Sequence, residues 1–342
     1  RFDKTAALAI KARVLLYAAS PRNNPGNDPA KWEAAAEAAH EVITTRKAIF
    51  EKGFGFGEAA KTYPSHIMPA NRNYGDYFIK NNSTSDVESI FLIRKMNSST
   101  PERLNYPVGT RGGNSGITPS HNLVDSYEYI GAQTANPYAN RDPRMAATIV
   151  YNGCEWKGVT DFDQSPGGQF DQKVSGASKT GYYLKKWWDN TYRLTLQSGL
   201  NPILIRYADI LLMNAEAYVE TTGMTEDVWN KTIKPIRERA GFTEASALNY
   251  NSSADMKELV RNERRCELAF EGSRYKDIIR WKIAETVLNG NVHGFYTGAT
   301  VGTDNGFIVL ETRNFDASKH YLWPIPQKDR DINKNLTQNL NW

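Results

Sequence analysis

Apolar positions at the start of the chain recur at helical spacing. Ala6, Ala9, Ile10, Leu16 and Tyr17, with Arg13 among them, fall three and four residues apart, which predicts a helix over residues 3–19. The stretch SPRNNPGNDPA ends it, because Pro, Gly and Asn favour turns. Asp28 then stands as an N-cap with Pro29 at the first helical position. Trp32, Ala35, Ala36, Ala39, Val42 and Ile43 repeat on one face of a second helix to about Arg46. The two predict an antiparallel hairpin over 3–46, with small residues at its seam.

The design returns at IRYADILLMNAEAYVETTG followed by TEDVWNKTIKPIRERAGF, so a second hairpin is expected over 203–240 and a third over 254–289. Trp32, Trp229 and Trp281 sit at helical spacing and are expected to fill the grooves between helices. Residues 48–200 lose this period. They are rich in Gly, Asn, Ser and Tyr, with short strand-like runs at 88–94, 147–151 and 182–187. The expected fold is mainly α: a degenerate tetratricopeptide-like hairpin scaffold with long loop-rich insertions containing short strands. As one domain over 1–342, it divides into a hairpin (1–47), an insertion (48–200), two hairpins (201–289) and an irregular C-terminal segment (290–342).

The stretch LVRNERRCELAFEGSRYKDIIRW combines helical spacing with dense charge. Gly272 breaks the period, which predicts two helices joined by a tight turn at Glu271-Gly272-Ser273. Guanidinium groups here can take carboxylates and orphan helix-end carbonyls. Arg264, Arg265, Glu267, Glu271 and Arg280 are therefore expected in structural ion pairs, and Arg141, Asp142 and Arg144 in a clamped turn of the same kind.

Charge and motifs narrow the chemistry. The net charge is +4, from 42 basic and 38 acidic residues without a long basic run, which argues against nucleic-acid binding. Two cysteines make no disulfide framework, and Cys266 on a helical face reads as a small buried hydrophobe. The five histidines lack metal-ligand spacing, and no phosphate loop or nucleophile elbow is present. Asp161-x-Asp163-x-Ser165 begins like a calcium loop, but Pro166 and Gln172 occupy two of its key places. No metal or cofactor is expected. A carboxylate pair for glycoside hydrolysis could be drawn from Asp76, Asp125, Glu128 and Asp142, with nothing in the sequence setting an acid against a nucleophile. No stretch is apolar enough to span a bilayer. The chain opens at Arg1 inside a helix already under way and reads as a piece of a longer protein.

Aromatic residues make up 11%, with 8 Trp and 18 Tyr, many in polar stretches. Flat rings among amides suit recognition of a sugar, whose C–H face stacks while its hydroxyls hydrogen-bond. The segment YPSHIMPANRNYGDYFIKNNSTSD is expected to be a surface loop. Its Tyr63, Asn71, Arg72, Asn73, Tyr74, Asp76, Tyr77 and Phe78 are ligand-binding candidates, and Trp156 is another.

Several stretches together resemble the SusD/RagB family: TAALAIKARVLLYAASP, PSHNLVDSYE, YANRDPRMAATIVYNG, RYADILLMNAEA, NERRCELAFEGSRYKDIIRW and YLWPIPQKDRDINKNLTQN, in the expected order. The resemblance implies a surface lipoprotein of the Bacteroidetes outer membrane, held by a lipid anchor in a preceding segment. It would bind a glycan or other nutrient, catalyse nothing, and deliver its ligand to a SusC-like TonB-dependent transporter. The competing readings are a helical-repeat module that binds protein and no sugar, and a glycoside hydrolase.

Overall fold

The computed structural model describes residues 3–51, 74–79, 88–110, 112–171, 175–188 and 198–342. The helices are α1 (Lys4–Ala19), α2 (Pro29–Glu51), α3 (Tyr74–Ile79), α4 (Thr100–Asn105), α5 (His121–Val124), α6 (Arg144–Thr148), α7 (Tyr207–Val219), α8 (Glu226–Lys231), α9 (Ile233–Ala240), α10 (Ala245–Leu248), α11 (Met256–Glu267), α12 (Arg274–Arg280), α13 (Ala284–Val287) and α14 (Gln327–Ile332). The strands are β1 (Ser89–Leu92), β2 (Ile149–Val150), β3 (Tyr183–Leu184), β4 (Ile203–Arg206), β5 (Gly290–Tyr296), β6 (Thr303–Asp304) and β7 (Phe307–Arg313).

The first hairpin forms because its alanines let the helices approach closely. Ala9, Ala12 and Leu16 of α1 meet Trp32, Ala35 and Ala39 of α2, all buried, and α7 closes the cluster with Ile210, Met213 and Ala217. Asp3 caps α1 by accepting from the Ala6 amide at 2.8 Å. Asp28 caps α2 by accepting from the Ala30 amide at 3.0 Å. Asp28→Ala should lower stability by about 1 kcal/mol, read as a small fall in Tm; an unchanged Tm would refute the cap.

The opposite face of α7 builds a second core, with Leu211, Leu212 and Ala215 against Trp229, Ile233, Ile236 and Val260. The expected partner helix over 225–240 is broken at Thr232 into α8 and α9. The Thr232 hydroxyl donates to the Val228 carbonyl at 2.6 Å, and Pro235 supplies no amide for a continuous helix. The chain turns between α11 and α12 where expected, with Phe270 at φ 60° and Gly272 at φ 76°.

Within the expected insertion, the described residues between 106 and 188 build an aromatic core, including Tyr106, Trp156, Phe162, Phe170 and Tyr183. The insertion joins the scaffold where β1 pairs antiparallel with β4, Phe91 opposite Ile205. The segment 290–342 is not wholly irregular. β5, β7 and β6 make a three-stranded antiparallel sheet, with Val292 opposite Glu311 and Tyr296 opposite Phe307. The glycines flanking these strands supply its turns, and Val292, Phe307 and Ile308 supply its β propensity.

Candidate functional site

The charged stretch of α11 works as an internal bracket. Helical geometry separates Glu263 and Glu267 from Arg264, so the two faces enter two different ion-pair networks. On one face, Glu267 accepts from Arg206 Nη1 at 2.6 Å, from Arg144 Nη1 at 3.1 Å and from Arg239. Glu263 accepts from Arg144 Nη1 at 2.5 Å and from Arg237 Nε at 2.9 Å. Glu88 takes Arg206 and Arg239, Glu271 takes Arg206 and Lys186, and Asp142 takes Arg144. Arg144, Arg206, Arg237, Arg239 and Lys186 thus face Glu88, Asp142, Glu263, Glu267 and Glu271, five cations against five anions among the described residues. On the other face, Arg264 reaches Asp209 at 3.1 Å and Asp277 at 3.3 Å. Arg280 holds Glu216 and Asp277, and Arg13 holds Asp209 at 2.6 Å. This network also balances, with Arg13, Arg264 and Arg280 against Asp209, Glu216 and Asp277.

Charge balance is what makes such burial tolerable, because an unpaired buried charge is strongly destabilising. Burial by itself would raise the Glu267 carboxyl, but Arg239, Arg206 and Arg144 outweigh it and hold it far below the usual carboxylate range. Glu263, Glu216 and Asp209 are likewise lowered, their arginines overcoming desolvation. Burial pushes Lys186 down to about 8, with Glu271 opposing. The networks hold α11 to α1, α7, α9 and α12 and to the 88–186 region.

Of the residues expected in ion pairs, Arg144, Asp142, Arg264, Glu267, Glu271 and Arg280 lie in these networks. Arg141 sits apart, its guanidinium donating to the Val124, Tyr127 and Pro137 carbonyls and reaching Asp125 at 3.2 Å. Arg265 is a correction: it is in no ion pair among the described residues, and its Nη2 donates to the Asn122 carbonyl. Sequence reading missed Glu88, Lys186, Arg206, Arg237 and Arg239, whose partners lie far away along the chain.

The ligand candidates need a second correction. Tyr74, Tyr77 and Phe78 are not on a surface loop; they are buried on α3, packed together and against Trp187. Tyr74 donates to the Glu267 carbonyl at 2.9 Å, and Lys186 lies 4.1 Å over the Phe78 ring. Their spacing of three and four residues is a helical face, and that signal was present in the sequence. Trp156 is buried too, its indole N–H donating to the Thr110 hydroxyl at 2.9 Å. Asp76 lies in α3, and Tyr63, Asn71, Arg72 and Asn73 lie outside the described residues.

Chemistry suited to a polar ligand gathers elsewhere, in a groove of about 630 Å³ between the 136–138, 152–153 and 164–171 loops and the end of β5. Tyr296 presents its ring there, 44% exposed, backed by Phe307 at 5.1 Å between centroids. Gly306 makes this possible: at φ 87°, a Cβ on it would stand 2.4 Å from the Tyr296 ring. Tyr138 lies opposite, its hydroxyl 3.1 Å from that of Tyr182. Asn136 and Asn152 are exposed and use their carbonyl oxygens on the Tyr138 and Gln164 backbone amides, and neither NH₂ group has a partner among the described residues. Gln164 is buried and donates to the Gly181 carbonyl, while its Oε1 has no partner among the described residues. An exposed ring and two amide side chains therefore share one groove. Among the described residues lining it, Asp171 is the one carboxylate. No group of His, Cys, Asp and Glu among the described residues could hold a metal ion, and none of the described helices is long and apolar enough to cross a membrane.

These features define a helix-rich scaffold protein with an aromatic and amide-lined surface groove. The chain belongs to the SusD family, whose model matches residues 70–342. It is 33% identical over 150 residues to SusD-like protein P2 of Formosa agariphila, a match covering 42% of this chain and 26% of that protein. A solved SusD-like carbohydrate-binding protein of Bacteroides fragilis is 28% identical, with TM-score 0.79 over 98% of this chain and 65% of that one. Surface glycan-binding protein A of Bacteroides thetaiotaomicron, solved with laminarihexaose, shares the fold at TM-score 0.55 and 22% identity, over 99% of this chain and 64% of that one. The chain therefore spans less than two thirds of these solved proteins and about a quarter of that curated relative.

Proposed function

We propose that the chain binds an oligosaccharide through the Tyr296 groove and breaks no bond in it. The observation that carries this reading is the meeting of the exposed Tyr296 ring with the exposed Asn136 and Asn152 amides in one groove. A pyranose would stack its C–H face on the ring while its hydroxyls take the amides. The solved relatives described as carbohydrate- and glycan-binding support the ligand class. Among the described residues lining the groove Asp171 is the one carboxylate, whereas hydrolysis needs a second carboxyl group across the scissile bond. The family suggests the setting: the outer surface of the outer membrane, with transfer of the captured glycan to a TonB-dependent transporter.

Calorimetric titration against a panel of neutral oligosaccharides, laminarihexaose included, tests the reading. Tyr296→Ala combined with Asn152→Ala should weaken the bound member by about 1–3 kcal/mol, the order expected for losing a large contact surface, while the protein stays folded with a modest fall in Tm from the lost Asn152–Gln164 and Tyr296–Phe307 contacts. Full affinity in that double variant would remove the groove from consideration, and release of new reducing ends would replace binding with hydrolysis.

A further inference from the structure

A second cavity, of about 740 Å³, opens between the 118–125 segment, the α11–α12 turn and the start of β5. Its charge is unlike that of the rest of the molecule. Arg144, Arg206, Arg237, Arg239, Arg264 and Arg280, all buried, each hold a carboxylate. Arg265 and Arg274 line this cavity and hold none among the described residues. Arg265 donates to the Asn122 carbonyl, and Arg274 has neither a hydrogen bond nor an ion pair among the described residues. Burial and then the neighbouring Arg265 charge lower Arg274 to about 10, and burial lowers Arg265 as well.

The acids around them are already engaged. Asp125, which also lines the cavity, accepts from Arg141, and His121 Nε2 lies 3.1 Å from it. Asp277 is bound by Arg264 and Arg280, and Glu258 by Arg261. Arg313, also at the cavity, is occupied by Glu311 at 2.8 Å. Two half-dried guanidinium groups thus repel one another, with Asp125, Asp277 and Glu258 near but none in an ion pair with either among the described residues, and an oxyanion entering the cavity would relieve that repulsion. Carboxylate and sulfate both fit a guanidinium through paired hydrogen bonds. Tyr275, 46% exposed, lines the same cavity and offers a ring beside the charge.

We propose that the Arg265–Arg274 cavity binds the oxyanion, a uronate carboxylate or a sulfate ester, of an acidic saccharide. The proposal rests on the saccharide-binding reading above and adds the ligand's charge. Three probes separate the sources: an oligogalacturonate, a sulfated galactan oligosaccharide, and a neutral galacto-oligosaccharide of equal length. At least one acidic probe should bind tenfold or more tightly than the neutral one, and the preference should shrink as salt screens the charges. Arg274→Gln should abolish the preference and leave any neutral binding unchanged. Its unliganded Tm should not fall, because a repulsive contact is removed; a structural arginine would give the opposite. Equal binding of acidic and neutral probes, or a preference that survives Arg274→Gln, would overturn the inference while the groove reading stands. Failure of every probe and of the neutral panel would overturn both.

Discussion

Glu267→Gln should destabilise the fold by about 3–5 kcal/mol, the usual result of removing one member of a buried ionic network. The carboxylate is fully buried and is shared by Arg144, Arg206 and Arg239. A glutamine keeps the volume and one acceptor oxygen but removes the charge, so five cations would face four anions. The same helix provides a control. Arg265→Gln changes a neighbour two positions away that has no carboxylate partner, so it should be far milder. Urea unfolding of both variants decides the matter. A loss under 1 kcal/mol for Glu267→Gln, or equal losses for the two, would show that α11 does not organise the scaffold through charge.

Acid should unfold the protein steeply. Glu267, Glu263, Glu216 and Asp209 have folded-state pKa values below their ordinary ones. Their stabilisation is therefore fully present above the unfolded value of about 4 and is lost as pH falls from there through the folded values. Unfolding free energy should change little between pH 7 and about 5. Between pH 4 and 3 it should fall by more than the ~1.4 kcal/mol that one fully titrating carboxylate contributes per unit. Denaturant midpoints measured across that range check this. A flat profile to pH 3 would mean that the carboxylates are not held by their arginines as the distances require.

The helical hairpins were legible along the chain because their causes are local. A cap such as Asp28 acts on an amide two residues on, and the Ala9–Ala12–Leu16 face is set by rotation within one helix. The same local rule would have placed Tyr74, Tyr77 and Phe78 on a buried helical face, had the surrounding Asn, Gly and Pro not suggested a loop. The tight turn before α12 was legible for a related reason, since Gly272 adopts a positive φ that other residues avoid.

Tertiary structure alone decided which charges meet. Arg206 and Glu88 are 118 positions apart and Arg144 and Glu263 are 119 apart, so no pattern in a window of residues joins them. Arg264 and Arg265 are adjacent and chemically identical, yet a turn of about 100° along the helix sends one into a balanced network and the other to a cavity where it has no carboxylate partner among the described residues. The groove likewise joins Asn136, Asn152, Gln164 and Tyr296 from separate loops and a strand. Period and turn chemistry are written into neighbouring residues, so the sequence by itself determined the helical scaffold. Ion pairing and exposure depend on how distant segments pack, and only the folded chain could decide them.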